Sequence, residues 1–250
     1  MHYGLDEAYK RFKKAVTAHN MICDEQAIMV GYSGGKDSAL LLYLLKKFLP
    51  ISKYKYRLAA GHISLGFKGD DIEPLQSYCD SLDIPFFYEK TQISEIVFSA
   101  RQEDNPCSLC AKMRRGALNN LAKHNGFNKL ALAHHQDDVL ETLLLKTFFE
   151  GNIGSFNPVT YLDRTELTVI RPFIYLSESM ISNVVKKENI PVVASNCPAD
   201  KIGKRQEMKA IIEQIAQMSP NAKDRATFAL DRLFGANWDG IAARANKEEK

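Results

Sequence analysis

The sequence has no long hydrophobic run, and this absence excludes a membrane-spanning helix of the usual length. Its apolar stretches are short and are broken by Lys, Arg or Asp, whereas a spanning helix needs ~20 consecutive apolar residues. The first residues, MHYGLDEAYKRFKK, also lack the basic and then apolar order of a secretory signal peptide. We therefore expect no membrane association and a cytoplasmic protein, whose thiols are kept reduced.

Cysteine and net charge are both low. The 250 residues include five cysteines, an odd number that argues against a framework of disulfide bonds. The net charge is only +3, so the total does not demonstrate a nucleic-acid partner, and local clusters of basic residues matter more. With 45% hydrophobic and 25% charged residues, the composition is that of an ordinary globular protein that can bury a sizeable core.

Apolar residues repeat with alternating periods along the first two thirds of the chain, which indicates strands that alternate with helices. The predicted strands cover 27–32, 56–65, 85–89, 129–134 and 167–172. The predicted helices cover 5–20, 38–48, 71–82, 108–124 and 138–149. Parallel strands in this order are joined by helical crossovers, so the predicted fold class is α/β, with an open, mostly parallel sheet and helices on both faces.

The last part of the chain has a mostly helical pattern. Three helices are predicted there, at 178–188, 204–218 and 223–233, followed by a charged tail. We accordingly divide the chain into an N-terminal helix (1–24), an α/β domain (25–200) and a helical C-terminal region with its tail (201–250).

A glycine-rich loop lies where the first predicted strand ends and the next helix begins. Ligands of open α/β sheets bind at this edge, and free N–H groups at a helix N-terminus favour an anion. The residues suited to hold a phosphate are Ser33, Gly34, Gly35, Lys36 and Ser38. Asp37 stands where a Walker A loop requires Ser or Thr, and Val30 stands where it requires its first glycine. The loop therefore predicts a phosphate site of another class; the alternative is a glycine-rich turn without a ligand.

A second motif with its own chemistry is the Cys-x-x-Cys pair of Cys107 and Cys110, at the start of a predicted helix. The helix dipole and nearby basic residues stabilise thiolates there. A third cysteine, Cys197, lies far along the chain. The pattern is compatible with an iron–sulfur cluster, a zinc site, a dithiol redox pair or thiols without a site, and spacing alone leaves these alternatives open.

A third motif is the segment HHQDD, in which His134 and His135 end a predicted strand and Asp137 and Asp138 begin a helix. Adjacent residues of an extended chain point in opposite directions, which argues against a zinc-binding histidine pair. An aspartate at a helix start is also well suited to capping, so Asp137 has a purely structural alternative.

Basic residues follow both cysteine segments. Those chosen as a candidate RNA-binding surface are Lys112, Arg115, Lys204 and Arg205. If the three cysteines meet at one site, the two basic clusters meet as well and offer a surface for phosphates. Each cluster alone is equally compatible with a solvated helix face.

Taken together, the motifs resemble the PP-loop ATP pyrophosphatase superfamily and, within it, the tRNA 2-thiocytidine synthetase family. The resemblance rests on SGGKDS (33–38), PCSLCAKMRRG (106–116) and HHQDD (134–138), continues through VIRPFIYLSE (169–178), and covers roughly residues 14–215. Ala194 stands where the family commonly has a further cysteine, at a position outside its expected ligand set.

The resemblance implies that ATP is cleaved to AMP and pyrophosphate on the glycine-rich loop. The implied ATP-binding residues are Ser33, Gly34, Gly35, Lys36, Asp37, Ser38, His62, Ile63, His135 and Asp138. Asp37 would also help to hold Mg²⁺, because magnesium prefers carboxylate and phosphate oxygens. Lys36 and Asp37 are thus the expected catalytic residues of the loop.

The resemblance also implies a 4Fe–4S cluster, held by Cys107, Cys110 and Cys197 with the fourth iron open to a sulfur species. The expected reaction adenylates the C2 oxygen of a cytosine in tRNA and replaces it with sulfur from a cysteine desulfurase or sulfide. A homodimer is expected. The alternatives are a PP-loop sulfurtransferase or desulfurase that acts on another tRNA base or a small molecule, and a nucleotide- and metal-binding sensor without turnover.

Overall fold

The computed structural model describes residues 4–67, 71–97, 106–193, 197 and 204–239. Its strands are Gln26–Gly31 (β1), Tyr56–Ser64 (β2), Phe86–Lys90 (β3), Lys129–Ala131 (β4), Val159–Leu162 (β5) and Leu167–Ile170 (β6). They form one six-stranded sheet in the order β3-β2-β1-β4-β6-β5. All neighbours are parallel except β5, which runs antiparallel to β6 at the edge.

The helices connect these strands and extend beyond the sheet. They are Leu5–Ala18 (α1), Lys36–Phe48 (α2), Glu73–Ser81 (α3), Ile93–Glu95 (α4), Pro106–His124 (α5), Gln136–Phe149 (α6), Glu178–Lys187 (α7), Lys204–Met218 (α8) and Ala222–Phe234 (α9), with a 3₁₀ turn at Leu49–Ile51. In the part of the chain that the structure describes, no helix is both long enough and apolar enough to cross a membrane.

Two hydrophobic cores lie on opposite faces of the sheet. Ile28 and Val30 of β1 belong to the core that also contains α1, α2 and α7 residues, while Ala27 and Met29 belong to the core beneath α5. This division follows from the strand geometry, since successive side chains point to opposite faces. The α/β fold predicted from the sequence, with helices on both faces of a mostly parallel sheet, is confirmed.

The predicted division into three segments does not correspond to separate cores. Phe12 of α1, Leu230 of α9 and the following Trp238 are all buried in the same core as the central strands. The Arg11 guanidinium binds the Asp224 carboxylate through two hydrogen bonds of 2.6 and 2.9 Å, which joins the N-terminal helix to α9. The division remains a description of the sequence pattern.

Candidate active site at the carboxyl edge of the sheet

The glycine-rich loop between β1 and α2 has a backbone conformation that requires glycine at position 34. Gly34 has φ of +83°, and a Cβ there would lie 2.8 Å from Leu75 Cδ2 and 3.2 Å from Val193 Cβ. Its carbonyl oxygen accepts a hydrogen bond of 2.9 Å from the Val193 amide. A side chain at this position would therefore strain the backbone and collide with two neighbouring segments.

Two serines hold the loop in a compact form. The Ser38 hydroxyl donates to the Gly35 carbonyl oxygen at 3.0 Å and accepts from the Ser33 amide at 3.2 Å, and the two serine hydroxyls are 3.1 Å apart. Gly35 is the N-cap of α2 and offers no side-chain cap. The positive end of α2 thus opens into a folded loop, which is the usual arrangement of a phosphate-binding site.

Lys36 and Asp37 begin α2 and are paired with each other. The Lys36 ammonium group lies 3.1 Å from Asp37 Oδ2 and 3.1 Å from Glu178 Oε1 at the start of α7. Asp37 Oδ1 is buried and accepts no hydrogen bond from any residue that the structure describes. A buried carboxylate oxygen without a partner is costly, and Mg²⁺ prefers such oxygens, so the loop fits the metal of a magnesium–nucleotide complex.

The three cysteines of the predicted cluster are near enough to one another for an electrostatic influence. Cys107 and Cys110 lie in the first turn of α5, and neither they nor Cys197 form a disulfide bond. Burial raises the pKa of Cys110, the nearby Arg114 lowers it, and the thiols of Cys197 and Cys107 raise it further. Electrostatic influence of this kind requires proximity, so residues almost 90 positions apart in sequence share one neighbourhood.

This donor set fits an iron–sulfur cluster with one open iron, which takes three thiolates. Arg114 contributes a positive charge that favours the thiolate form of Cys110. Within the described ranges, no three His, Cys, Asp or Glu side chains are arranged to hold a single metal ion.

His135 and Asp138 form a reciprocal cap at the N-terminus of α6. The Asp138 amide donates to His135 Nδ1 at 3.4 Å, and the His135 amide donates to Asp138 Oδ2 at 2.9 Å. Asp137, the residue that the sequence suggested as a cap, instead accepts from the Glu178 amide at 2.7 Å and from the Lys223 ammonium group at 2.6 Å. The expected contact of His135 and Asp138 with a nucleotide remains a prediction.

The strand before this cap is shorter than the pattern suggested. It ends at Ala131 rather than at residue 134, because the chain leaves the sheet before the α6 cap. His134 is partly buried against the Phe156 ring, with ring centroids 5.1 Å apart. Burial lowers its pKa, and the charge of Arg171 lowers it further.

Arg171 directly follows β6 and is a site residue that the sequence motifs do not predict. Its Nη1 donates to the Asn157 carbonyl oxygen at 2.6 Å and to Thr160 Oγ1 at 3.0 Å, and the guanidinium carbon lies 5.2 Å from the Phe156 ring centre. Burial lowers the pKa of Arg171 to about 10, with a further contribution from the positive charge of Arg115. The sequence feature that could have identified Arg171 is its position directly after a predicted strand, at the carboxyl edge of the sheet.

His62 and Ile63, two of the expected ATP-binding residues, have different environments. The His62 ring lies 6.1 Å from the Tyr88 ring in a stacked arrangement, and its Nδ1 is 2.8 Å from the Tyr32 carbonyl oxygen. The Ile63 side chain is buried in the core beneath α5. The Ile63 side chain therefore packs in the core, so only its backbone can contact a nucleotide.

The four residues of the candidate RNA-binding surface lie on two helices. Lys112 and Arg115 are exposed on α5. The Lys204 ammonium group lies 4.4 Å from the Phe149 ring centre, and Arg205 Nη1 lies 3.4 Å from Asp138 Oδ1 and 3.5 Å from Glu141 Oε2.

Arginines of both basic clusters act electrostatically on residues at the carboxyl edge. Arg115 lowers the pKa of Arg171, and both Arg171 and Arg205 lower that of His134. Glu141 lies in the same region, where burial and the charge of Asp138 raise its pKa to about 7. The structure thus brings together side chains from α5, α6, α8 and the end of β6.

The chain is similar to known proteins over most of its length. Residues 5–214 match the family model of the PP-loop domain. The chain is 38% identical to a tRNA-cytidine(32) 2-sulfurtransferase from Pelobacter propionicus, over 88% of this chain and 83% of the relative. It is 36% identical to a protein of the same name from Geobacter sulfurreducens, over 90% of both chains.

A solved structure with the same fold is the U34-tRNA thiolase NcsA from Methanococcus maripaludis, which contains a 4Fe–4S cluster. It matches with a TM-score of 0.74 and 21% identity, over 91% of this chain and 79% of that one. The fold is therefore shared, and the family resemblance predicted from the motifs is confirmed by the sequence matches. The chain belongs to the PP-loop family and, within it, to the group of the tRNA-cytidine(32) 2-sulfurtransferases.

Proposed function

We propose that this protein is an ATP-dependent tRNA sulfurtransferase that replaces the C2 oxygen of a cytosine with sulfur and uses a 4Fe–4S cluster. The observation that carries the proposal is the presence, in one chain of this family, of a phosphate loop and of three reduced thiols from distant segments in one neighbourhood. The relatives are named for cytidine 32 of tRNA, and we propose the same target position for this protein.

The loop residues carry the first half of the reaction. Ser33, Gly34, Gly35 and Ser38 bind the phosphates at the N-terminus of α2, and Lys36 neutralises their charge. Asp37, whose Oδ1 is buried without a hydrogen-bond partner among the described residues, would hold the magnesium ion of the substrate complex. The cytosine C2 oxygen attacks the α-phosphorus, the bond to the β-phosphate breaks, and pyrophosphate leaves.

In the second half of the reaction, sulfur replaces the adenylated oxygen. A sulfur nucleophile attacks C2, the bond between C2 and oxygen breaks, and AMP departs with that oxygen. Cys107, Cys110 and Cys197 would hold the cluster, which supplies a position where a sulfur species binds and stays nucleophilic. The protein's own contribution is to hold the two reactants together and to neutralise charge with the basic residues of the carboxyl edge.

The partners of this reaction are tRNA and a sulfur donor, which we take to be a cysteine desulfurase or free sulfide. A reducing cytoplasm suits three thiols that form no disulfide bond. We also propose a homodimer, because α8 carries apolar side chains that are exposed in the single chain: Ile211, Ile215 and Met218. Light scattering at several protein concentrations tests this association.

Product analysis tests the proposed reaction. With tRNA, sulfide and anaerobically prepared protein, we expect ATP to yield AMP and pyrophosphate in equal amounts, because the loop lacks the Walker A spacing for γ-phosphate chemistry. Chromatography of labelled ATP separates the products. If ADP and phosphate dominate, the proposed chemistry is wrong. If nucleotide and metal bind but tRNA causes no turnover, the protein is a sensor.

We propose that Lys112, Arg115, Lys204 and Arg205 form one tRNA-binding surface. Changing Lys204 and Arg205 to alanine should weaken tRNA binding and reduce the slope of log affinity against log salt by about one for each phosphate that is no longer bound. Nucleotide binding should be affected less, because neither side chain contacts the loop 33–38. Titration of labelled tRNA at several salt concentrations measures both quantities.

In the matched control, two exposed lysines in the last turn of α7, Lys186 and Lys187, are changed to alanine instead. This change should leave the salt slope as it is in the wild-type protein. An unchanged slope for the Lys204 and Arg205 variant would show instead that this cluster is a solvated helix face. A small-molecule substrate would then explain the site better than tRNA.

A further inference from the structure

One carboxylate binds two ammonium groups beside the phosphate loop. Glu178 Oε1 lies 3.1 Å from the Lys36 ammonium group, and Glu178 Oε2 lies 2.6 Å from that of Lys209 on α8. The charge of Lys36 also lowers the pKa of Lys209, although the bond to Glu178 outweighs this effect and the pKa is raised overall. The Lys209 ammonium group is thus close to that of the loop lysine.

Glu178 is held in place independently of the two lysines. It is the first residue of α7, and its amide donates to Asp137 Oδ2 at 2.7 Å, while the preceding Ser177 caps the helix. Burial raises the pKa of Glu178, but its bonds to Lys209 and Lys36 outweigh burial and lower the pKa to about 2. At neutral pH the carboxylate is therefore ionised and fixed between two cations.

Lys209 lies on the face of α8 that contacts the starts of α6 and α7. Arg205 lies four residues earlier, on the same face of the helix, and contacts Asp138 and Glu141 at the start of α6. Lys209 continues this row and reaches the start of α7. Sequence position alone groups it with the basic run after Cys197 and gives no indication of this contact.

We propose that Lys209 is a second phosphate-binding lysine of the nucleotide site, and that Glu178 is a positioning residue that holds it beside Lys36. The inference rests on the proposed function, in which the loop binds the phosphates of ATP. An ammonium group has three N–H donors, so Lys209 binds a phosphate oxygen while it keeps its bond to Glu178. Two neighbouring lysines, from α2 and α8, then bind the pyrophosphate part of the nucleotide.

Nucleotide affinity without tRNA tests this role. The probe is the magnesium complex of α,β-methylene-ATP, in which the scissile bridge cannot be cleaved, and calorimetry gives its dissociation constant. Lys209→Gln should weaken binding by about tenfold, the usual scale for a hydrogen bond between charged groups. Lys36→Gln should weaken it at least as much, whereas Lys209→Arg should keep most of the affinity because the charge remains. The control Lys186→Gln removes an exposed lysine from the far end of α7 and should have no effect.

A double-mutant cycle tests the positioning role of Glu178. In a Glu178→Gln background, Lys209→Gln should cost less than about threefold in affinity, because Lys209 is no longer held beside Lys36. A residue with a merely structural role would lower the melting temperature without changing the effect of Lys209→Gln on the dissociation constant. Equal effects of Lys209→Gln in both backgrounds would therefore overturn the positioning role.

The outcomes separate this inference from the proposed function. If Lys36→Gln weakens nucleotide binding and Lys209→Gln does not, the role of Lys209 is wrong and the proposed function stands. If Lys209→Gln weakens tRNA binding and leaves nucleotide affinity unchanged, Lys209 contacts RNA and the inference is wrong. If neither Lys36→Gln nor Lys209→Gln weakens nucleotide binding, the loop does not bind the phosphates. The inference then fails together with the proposed function.

Discussion

Protein with Cys197 changed to serine, purified without oxygen, should contain no iron–sulfur cluster and should not thiolate tRNA. Cys197 lies close enough to Cys110 to raise its pKa, which is the arrangement expected for two ligands of one cluster. A serine hydroxyl does not replace a thiolate as a cluster ligand, because iron–sulfur clusters are held by thiolates. Nucleotide binding should stay within about twofold of the wild-type value, since the loop 33–38 has its own anion site at the N-terminus of α2.

Iron and acid-labile sulfide analysis, together with visible absorption, measures cluster content. The matched control is Cys23→Ser, because Cys23, like Cys197, is a thiol outside any disulfide bond, but it is exposed and precedes β1 at the opposite edge of the sheet. This control should keep its cluster and its activity. Stoichiometric zinc without iron in anaerobic wild-type preparations, or equal depletion of the cluster in both variants, would contradict the proposed ligand set.

The second large effect is expected at Asp37. Asp37→Asn should slow AMP formation by about 10²–10³-fold, the scale seen when one group that stabilises transition-state charge is removed. Asparagine keeps the size of the side chain but removes the charge, and with it both the ion pair with Lys36 and the proposed carboxylate ligand for magnesium. Single-turnover formation of AMP at increasing magnesium concentrations separates slow chemistry from weak metal binding.

Asp163→Asn is the control for this change, because Asp163 is an exposed residue of the turn between β5 and β6. It should leave the rate and the magnesium dependence unchanged. If Asp37→Asn behaves like this control, the buried Oδ1 has no part in catalysis and the loop needs another metal ligand.

The central strands of the fold could be predicted from the sequence because they are nearly continuous apolar runs, which are buried on both faces of the sheet. Strand β2, for example, begins at Tyr56 as predicted and ends at Ser64, one residue before the predicted end. Strand β5 was missed, since an edge strand has little apolar alternation: its four residues, Val159–Leu162, are all partly or fully exposed. Its pairing with β6 depends on a turn in which Glu166 adopts φ of +54°.

The loop residues could be predicted because a phosphate site of this kind lies within six consecutive residues, 33–38. Glu178, Lys209 and Arg171 could not, because each meets the site only through the arrangement of distant segments. The pairing of Lys36 with Glu178 joins residues more than 140 positions apart and leaves no pattern in the sequence.

The measurement that tests the proposed function most directly is mass spectrometry of tRNA nucleosides from cells with and without this protein. Loss of the protein should remove 2-thiocytidine from tRNA, and the wild-type chain should restore it. The Cys197→Ser and Asp37→Asn variants should not restore it. An unchanged level of 2-thiocytidine in cells without the protein, or the loss of a different thiolated base, would contradict the proposed function.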